Sequence, residues 1–484
     1  MAFSSPLFIF LFLPLVLFLY YLTSNKFKNL LLLMASLIFY AWGEGRFTLI
    51  ILGIIFLNYQ TSKAIKKYQK LKLYKKSQRV LLVAILINLA FLFYYKYSFF
   101  FIGNFFSIFN HSASYKINST PVYLPLAISF FVFHAISYNF DIFKRKATPA
   151  KNFSELSLYL LFFPHLLAGP IIRYSKIFKQ LRVRVCSLSE FSEGISRFII
   201  GLGKKVIIAD TLATVSDEIF ATSINHLTIS EAWLGIICFS LQIYFDFSGY
   251  SDMAIGLAKM FGFKFPENFN YPYIASSIRD FWTRWHITLS NWFRDYLYIP
   301  LGGNRRSPLR NYANLWVVFL LVGLWHGASW NFIFWGGIQA FFLSLERIGQ
   351  GKINFPRFVK HFYTILAILI GWVFFRSENL GYGALYLGRM FGIGGEKISE
   401  LHPIGYFLSN DVSVCIIFGM IFSLPIGSWV NFLIKKTMKI NFKIYSITEI
   451  IKINFKLVFL LIVLFLSFIS VAIQTYNPFL YFRF

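Results

Sequence analysis

A single imidazole, His326, lies inside a segment that otherwise has the composition of a membrane span. The segment reads LWVVFLLVGLWHGASWNFIFWGG over residues 315–337. Imidazole is the side chain best suited to exchanging a proton near neutral pH. An ionisable group at membrane depth is costly and indicates a functional role. The segment therefore predicts either a general base or a histidine hydrogen-bonded inside a helix bundle.

Two carboxylates, Asp246 and Asp252, stand beside an apolar stretch at 233–249. Paired carboxylates suit acid–base work or a metal ion, but two acids with no nearby His or Cys do not make a metal site. We expect a structural role for both, with hydrogen bonds to Tyr or Arg. The three cysteines are scattered without a CxxC pattern, so we expect neither a disulfide nor a metal site.

The composition predicts a membrane protein. Of the 484 residues, 57% are hydrophobic and 14% are charged, whereas soluble domains carry about a quarter charged residues. The formal net charge of +27 comes from basic clusters between apolar spans, which is the positive-inside pattern. No nucleic-acid-binding motif accompanies that charge, so we expect a membrane surface and not a nucleic acid as the partner.

The spans predict an all-α polytopic fold with about ten to twelve spans or part-spans. The first 26 residues lack the features of a removed signal peptide and predict a retained span. Basic clusters after alternate spans place both termini on the outer side. The other predicted spans are near 30–42, 47–62, 80–101, 122–140, 233–249, 361–375, 412–434 and 456–475.

Three further segments predict irregular membrane structure. Residues 156–172 contain Pro164 and Pro170, which favour a broken or re-entrant helix. Residues 194–214 are amphipathic and lie either in the interface or in the bundle. Residues 276–310 are basic and aromatic, which favours short amphipathic helices on the cytosolic side.

A hairpin is predicted for residues 312–345, because basic residues flank both ends and place both on the cytosolic side. Each leg has about 17 residues, just enough for two tight crossings or for a deep hairpin. His326 falls near the turn, where a base would line a cavity and not face lipid.

Three stretches resemble the membrane-bound O-acyltransferase family, and within it the bacterial alginate O-acetyltransferase branch. They are FFPHLLAGPIIRYSKIFKQL at 162–181, the run from LQIYFDFSGYSD to YIPLGGNRR at 241–306, and LVGLWHGASWNFIFWGGIQA at 321–340. The tail NPFLYFRF resembles the end of the same branch. The resemblance implies one integral-membrane domain over 1–484, with a core at about 120–345. It also implies a ring of tilted helices around a tunnel that crosses the membrane.

The resemblance implies a role for three residues. His326 matches the catalytic histidine, which would take the proton from an attacking hydroxyl, and burial is expected to keep it neutral. His286, in RWHITLSNWF, matches the second polar position, on the donor side. Tyr481 resembles a tyrosine proposed as an acyl relay in a small partner peptide of the D-alanylation system; the alternative is an aromatic residue at the interface.

The resemblance implies acetyl-CoA as the donor, with no permanently bound cofactor. Its phosphates would meet Arg279, Arg284 and Arg294, and its rings or pantetheine arm would lie against Trp282 and Trp285. The alternative is that these side chains only anchor the protein at the interface. Thr283 stands where relatives often have Arg. Relatives tend to show Gln at the positions of His134 and His165, which favours a polar contact over catalysis there.

The implied acceptor is a cell-surface glycan, alginate-type or peptidoglycan, reached with an extracytoplasmic SGNH-type partner from the bacterial cytoplasmic membrane. Nothing in these residues identifies the sugar. Two other classes stay open: a glycan or lipid transporter without acyl chemistry, and a structural scaffold for an export complex. A transporter does not explain the WHG histidine together with its flanking sequence, and a scaffold predicts tolerance of substitutions at His326, His286 and Tyr481 together.

Overall fold

The computed structural model describes residues 1–109, 123–349, 355–393, 403–427, 429–430 and 442–473, and every long regular element in these ranges is a helix. The helices are α1 Leu13–Leu22, α2 Lys28–Glu44, α3 Phe47–Lys70, α4 Tyr74–Leu92, α5 Ser98–Phe109, α6 Ile128–Phe143, α7 Phe153–Leu161, α8 Phe163–Leu166, α9 Tyr174–Arg182 and α10 Leu188–Gly203. They continue with α11 Asp210–Ala221, α12 Ile229–Met260, α13 Ile278–Arg284, α14 Ile287–Phe293, α15 Pro308–His326, α16 Trp330–Gly349, α17 Arg357–Arg376, α18 Leu380–Met390, α19 Asn410–Phe422 and α20 Phe442–Ile473.

Five helical segments in the described ranges are long and apolar enough to cross a membrane. They are Phe47–Lys70, Tyr74–Ser107, Ile229–Met260, Arg357–Arg376 and Ile451–Ile473, and three shorter apolar helices accompany them at Phe8–Leu22, Ile128–Phe143 and Asn410–Phe422. The expected all-helical, polytopic membrane architecture agrees with these helices. The ring of helices and the tunnel stay predictions.

The long helix α12 is the centre of the bundle, and α10 packs against it through glycines. A methyl group on Gly201 would lie 2.5 Å from the carbonyl oxygen of Gly249, and one on Gly194 would lie 2.7 Å from that of Gly256. Small residues let helix backbones approach closely, which is the usual basis of helix packing in membranes. The segment 194–214 therefore lies in the bundle and not in the interface.

Close packing of α10 on α12 brings opposite charges together inside the protein. Lys205 lies 2.6 Å from Asp210 and 2.8 Å from Asp246, and all three side chains are buried. Lys204 lies 2.7 Å from Asp252. Arg197 also pairs with Asp252 at 2.8 Å, so the expected structural role with an arginine partner is confirmed for Asp252. Asp246 pairs with a lysine, a partner that the sequence did not predict.

The segment 156–172 is broken, as predicted. Helix α7 ends at Leu161, and α8 is a single turn with Pro164 at its beginning. The chain then runs without regular structure to Ile172, whose N–H donates to Nε2 of His134 at 3.0 Å. His134 therefore satisfies a buried backbone group, which is the polar contact expected for it.

The predicted span 412–434 is interrupted before Pro425, and residues 431–434 lie outside the described ranges. Helix α19 ends at Phe422, three residues before Pro425. Proline lacks an N–H and disfavours helical geometry in the residue before it, so the helix ends ahead of it. Tyr481 lies outside the described residues.

Candidate active site

His326 lies at the tip of the predicted hairpin, as the last residue of α15. The two legs, α15 and α16, touch at glycines: a methyl group on Gly323 would lie 2.1 Å from the carbonyl oxygen of Phe332. Gly327 follows His326 in an extended conformation and ends the helix. The hairpin therefore delivers the imidazole into the protein interior, where only 5% of the residue is exposed.

Aromatic rings surround the His326 imidazole. The ring centroids of Trp335 and Phe375 lie 5.1 and 5.2 Å away, both nearly perpendicular to it. Phe332 lies 6.5 Å away in a stacked orientation, and Trp325 lies at 4.8 Å. These rings restrict the imidazole to few orientations and exclude water from much of its surface, as a general base in a low-dielectric site requires.

Lys96 supports the chain at His326, a contact that the sequence analysis missed. Its ammonium donates to the carbonyl oxygen of Trp325 at 2.5 Å and lies 3.4 Å from that of His326. The carbonyl end of a helix carries partial negative charge, so a cation is favourable there. A π-helical turn at Phe93–Tyr97 interrupts the helix that carries Lys96. Such turns often occur at functional sites, and a lysine within FYYKYSFF was the signal available in the sequence.

His286, the second predicted histidine, lies close to the first. It precedes α14 in a left-handed conformation with φ of 41°, and only 1% of it is exposed. The indole of Trp325 contacts both imidazoles, with its ring centroid 6.1 Å from His286 and 4.8 Å from His326. The structure therefore brings together two residues that are forty positions apart in sequence.

The three predicted donor-binding arginines are exposed or paired with carboxylates. Arg279 and Arg294 are exposed, and Arg284 is paired with Asp280 at 2.8 Å. Arg294 is paired with Asp295, also at 2.8 Å. Burial alone would raise the pKa of the Asp295 carboxyl, but Arg294 and a second arginine beside it hold that pKa below its usual range. Only Arg279 among the three has no described carboxylate partner for its side chain.

The two predicted donor-binding tryptophans pack inside the protein. Trp285 is 3% exposed and stacks on Phe281 with 5.5 Å between centroids. Trp282 donates from Nε1 to Gln339 at 3.2 Å and contacts Trp335, which in turn contacts His326. Both therefore support the wall of the site, and Trp282 links it to α16.

A cavity of about 1130 Å³ lies along α12. Its lining includes residues of α12 between Tyr244 and Lys259, among them Ser251, and it also includes Asn268. Its polar lining residues include Arg197, Lys204, Asp252 and Glu267, and its apolar lining residues include Val414, Phe418, Phe422, Phe459, Ile462 and Leu466. Asn268, which hydrogen-bonds to His286, and Ile287, the next residue in the chain, both line the cavity, so the cavity reaches the immediate surroundings of His286.

No group of three or more His, Cys, Asp or Glu side chains in the described ranges could hold a metal ion. The chemistry available at the site is that of two buried imidazoles, a nearby ammonium and aromatic walls. This set suits acyl transfer with acid–base catalysis in a site that excludes water.

The fold and the site together define a class of protein. It is a helical membrane protein that holds a histidine at the buried tip of a hairpin. The chain belongs to the membrane-bound O-acyltransferase family, whose family model matches residues 78–376. It is therefore an O-acyltransferase, and the resemblance found in the sequence is confirmed.

Curated relatives agree with this assignment. A protein of Pseudomonas putida named "Probable alginate O-acetylase AlgI" is 45% identical over 404 residues, which cover 83% of this chain and 82% of the relative. A "Peptidoglycan O-acetyltransferase" of Helicobacter pylori is 38% identical over 440 residues, with 83% and 82% covered. A "Teichoic acid D-alanyltransferase" of Bacillus subtilis is 32% identical over 235 residues, with 46% and 58% covered.

Proposed function

We propose that this chain is a membrane O-acetyltransferase that transfers acetyl from cytosolic acetyl-CoA to a cell-surface polysaccharide of the alginate type or to peptidoglycan. The observation that carries the proposal is His326 at the buried tip of the hairpin, enclosed by aromatic rings and fixed through Lys96. The names of the relatives at 45% and 38% identity support acetyl as the group and a glycan as the acceptor. Family membership favours this chemistry over transport or a purely structural role.

The proposed reaction joins the hydroxyl oxygen of the acceptor to the acetyl carbon and breaks the carbon–sulfur bond of the thioester. His326 takes the hydroxyl proton as the carbon–oxygen bond forms. The sulfur leaves with the electron pair and gains a proton, so the products are an acetyl ester and coenzyme A thiol. General-base catalysis of this kind contributes about 10²- to 10⁴-fold in rate.

The cavity along α12 supports a route for the donor. Glu193, Lys259 and Lys456 are among its lining residues, and under the positive-inside pattern the two lysines support a cytosolic position for this end. A pantetheine arm of the donor would pass along the polar and apolar lining residues of this cavity toward Asn268 and the histidines. The sequence-predicted arginines Arg279, Arg284 and Arg294 stay a competing proposal for the donor phosphates.

Transfer on the outer side is proposed to use a partner and a relay. An aryl ester on Tyr481 would be a reactive acetyl donor. An SGNH-type extracytoplasmic partner would then transfer the acetyl group from this ester to the glycan. The charge pattern supports outer positions for both termini of a protein in the bacterial cytoplasmic membrane. If Tyr481→Phe keeps full glycan acetylation, direct transfer replaces the relay.

The test is the acetyl-ester content of cell-wall and capsular glycans in a strain that lacks this gene. Complementation uses wild type, His326→Ala or His165→Gln, at matched membrane levels. His165 is also buried, so its variant controls for the loss of a buried histidine. We expect wild type and His165→Gln to restore esters on one glycan, and His326→Ala to restore none.

The same assay identifies the acceptor from the glycan that regains esters. Equal restoration by wild type and His326→Ala would remove His326 as the base and overturn the proposal. If the wild-type protein is required for ester formation but the ester carries an acyl group other than acetyl, the proposed identity of the donor is wrong.

A further inference from the structure

Asn268 holds His286 through both its backbone and its side chain. The carbonyl oxygen of Asn268 accepts from the N–H of Ile287 at 2.9 Å, and the N–H of Asn270 donates to the carbonyl oxygen of Arg284 at 2.9 Å. These two bonds clamp the chain on either side of His286 in its left-handed conformation. This conformation strains the backbone of a non-glycine residue. It therefore persists only where the surrounding structure enforces it.

The hydrogen bonds of the Asn268 side chain determine which way its amide points. The N–H of Thr288 can only donate, and it lies 3.3 Å from Oδ1 of Asn268. The Thr288 hydroxyl also donates to Oδ1, at 2.8 Å, while Nδ2 of Asn268 donates to Ser251 at 3.0 Å. The atom that faces His286 is therefore an oxygen, which is an acceptor only.

This orientation fixes the tautomer of His286. Nδ1 lies 3.0 Å from Oδ1 of Asn268, so Nδ1 must carry the hydrogen in both the neutral and the protonated imidazole. In the neutral form the lone pair is then on Nε2. Nε2 is buried, and no residue in the described part of the chain donates a hydrogen bond to it. A buried acceptor without a partner costs free energy and indicates a ligand or a functional role.

We propose that Asn268 is a positioning residue that sets the Nδ1–H tautomer of His286 and leaves Nε2 as the only nitrogen through which His286 exchanges a proton. The inference rests on the proposed function and deepens it. Asn268 faces Nδ1 and lines the proposed donor cavity. Nε2 points away from Asn268, so it is the nitrogen that would first accept a proton and then give it to the departing sulfur. When His286 is protonated, Nε2–H is the donor and the bond from Nδ1–H to Asn268 persists.

The test is ¹⁵N NMR of the full-length protein labelled at histidine, in detergent or lipid, together with acetyl transfer. The signals of His286 are assigned as those lost in His286→Gln. We expect wild type to show a protonated Nδ1 and an unprotonated Nε2. Asn268→Leu should lose this pattern and about tenfold or more in kcat, by analogy with groups that orient metal-binding histidines, with less effect on KM.

Asn268→Asp keeps an acceptor oxygen, so it should restore the Nδ1–H pattern and most of the lost kcat. Asn88→Leu is the matched control, because Asn88 is equally buried but bonds to Asn58; it should leave the His286 signals unchanged. The inference is overturned if Asn268→Leu keeps the wild-type tautomer, or keeps kcat while His286→Gln loses it. If wild type transfers no acetyl, the proposed function fails, and the NMR pattern still tests the tautomer.

Discussion

The ammonium of Lys96 lies 2.5 Å from the carbonyl oxygen of Trp325, one residue before His326 and 229 positions away in sequence. It joins a π-helical turn of one helix to the carbonyl end of another. The contact neutralises helix-end charge and fixes the last turn of α15. The side chain of the proposed base is therefore oriented by a residue from a different part of the chain.

We expect Lys96→Met to lower kcat of acetyl transfer by about tenfold or more, because Trp325 loses a charge-assisted hydrogen bond of about 1.5–3 kcal/mol. The measurement is acetyl transfer by purified protein at saturating donor. Lys70→Met, which changes an exposed lysine at the end of α3, is the control and should behave like wild type. Equal kcat in wild type and Lys96→Met would mean that the contact does not position His326.

Gly327→Ala is expected to reduce activity through Phe332. The added methyl group would lie 2.2 Å from the Phe332 ring, which stacks beside the His326 imidazole. The ring must move, so the imidazole loses one of its restraints and overpacking costs about 1–3 kcal/mol. Both kcat and the temperature of thermal unfolding should fall. Gly337→Ala is the matched control, because its methyl group would make only ordinary contacts at 3.8 Å or more; a similar loss in that variant would argue against the mechanism.

Lys205→Met is expected to destabilise the protein strongly. It leaves Asp210 and Asp246 without the ammonium that lies within 2.8 Å of both, and breaking a buried ion pair costs about 3–5 kcal/mol. Thermal unfolding of the purified protein measures the effect. Lys264→Met removes an exposed pair with Glu190 and should leave the unfolding temperature unchanged, since exposed pairs contribute little. Unfolding of both variants at the same temperature would show that the buried cluster contributes nothing net.

Steady-state kinetics with varied acetyl-CoA can separate the two proposed donor sites. If the cavity along α12 is the route, Lys456→Gln, which changes an exposed lysine of its lining, should raise KM for acetyl-CoA by about tenfold, the scale of one charged contact. Arg279→Gln and Arg294→Gln should then have little effect. The opposite result would assign the donor phosphates to the residues predicted from the sequence.

The predicted spans agree with the structure where a span is apolar throughout, as in α17 and α2. They fail where polar residues lie within a helix. The predicted span 233–249 is shorter than α12, Ile229–Met260. The prediction ended early because Asp252 and Lys259 are charged, and charged residues in a short segment indicate that it does not span a membrane. In the folded protein Lys204 and Arg197 of α10 neutralise Asp252, so the helix continues. That compensation depends on a partner that no local window contains.

Several features followed from the sequence alone: a helical membrane protein, a hairpin with His326 near its turn, and the O-acyltransferase family. Span length, the charge between spans and the identity of a reactive side chain are properties of short segments. They can therefore be recognised from the sequence without knowing which segments pack together. Only the tertiary structure decided that Trp325 contacts both His286 and His326, that Lys96 holds α15, and that Asn268 sets the tautomer of His286. These depend on distances between residues far apart in sequence, which close packing of the helices determines and no spacing pattern encodes.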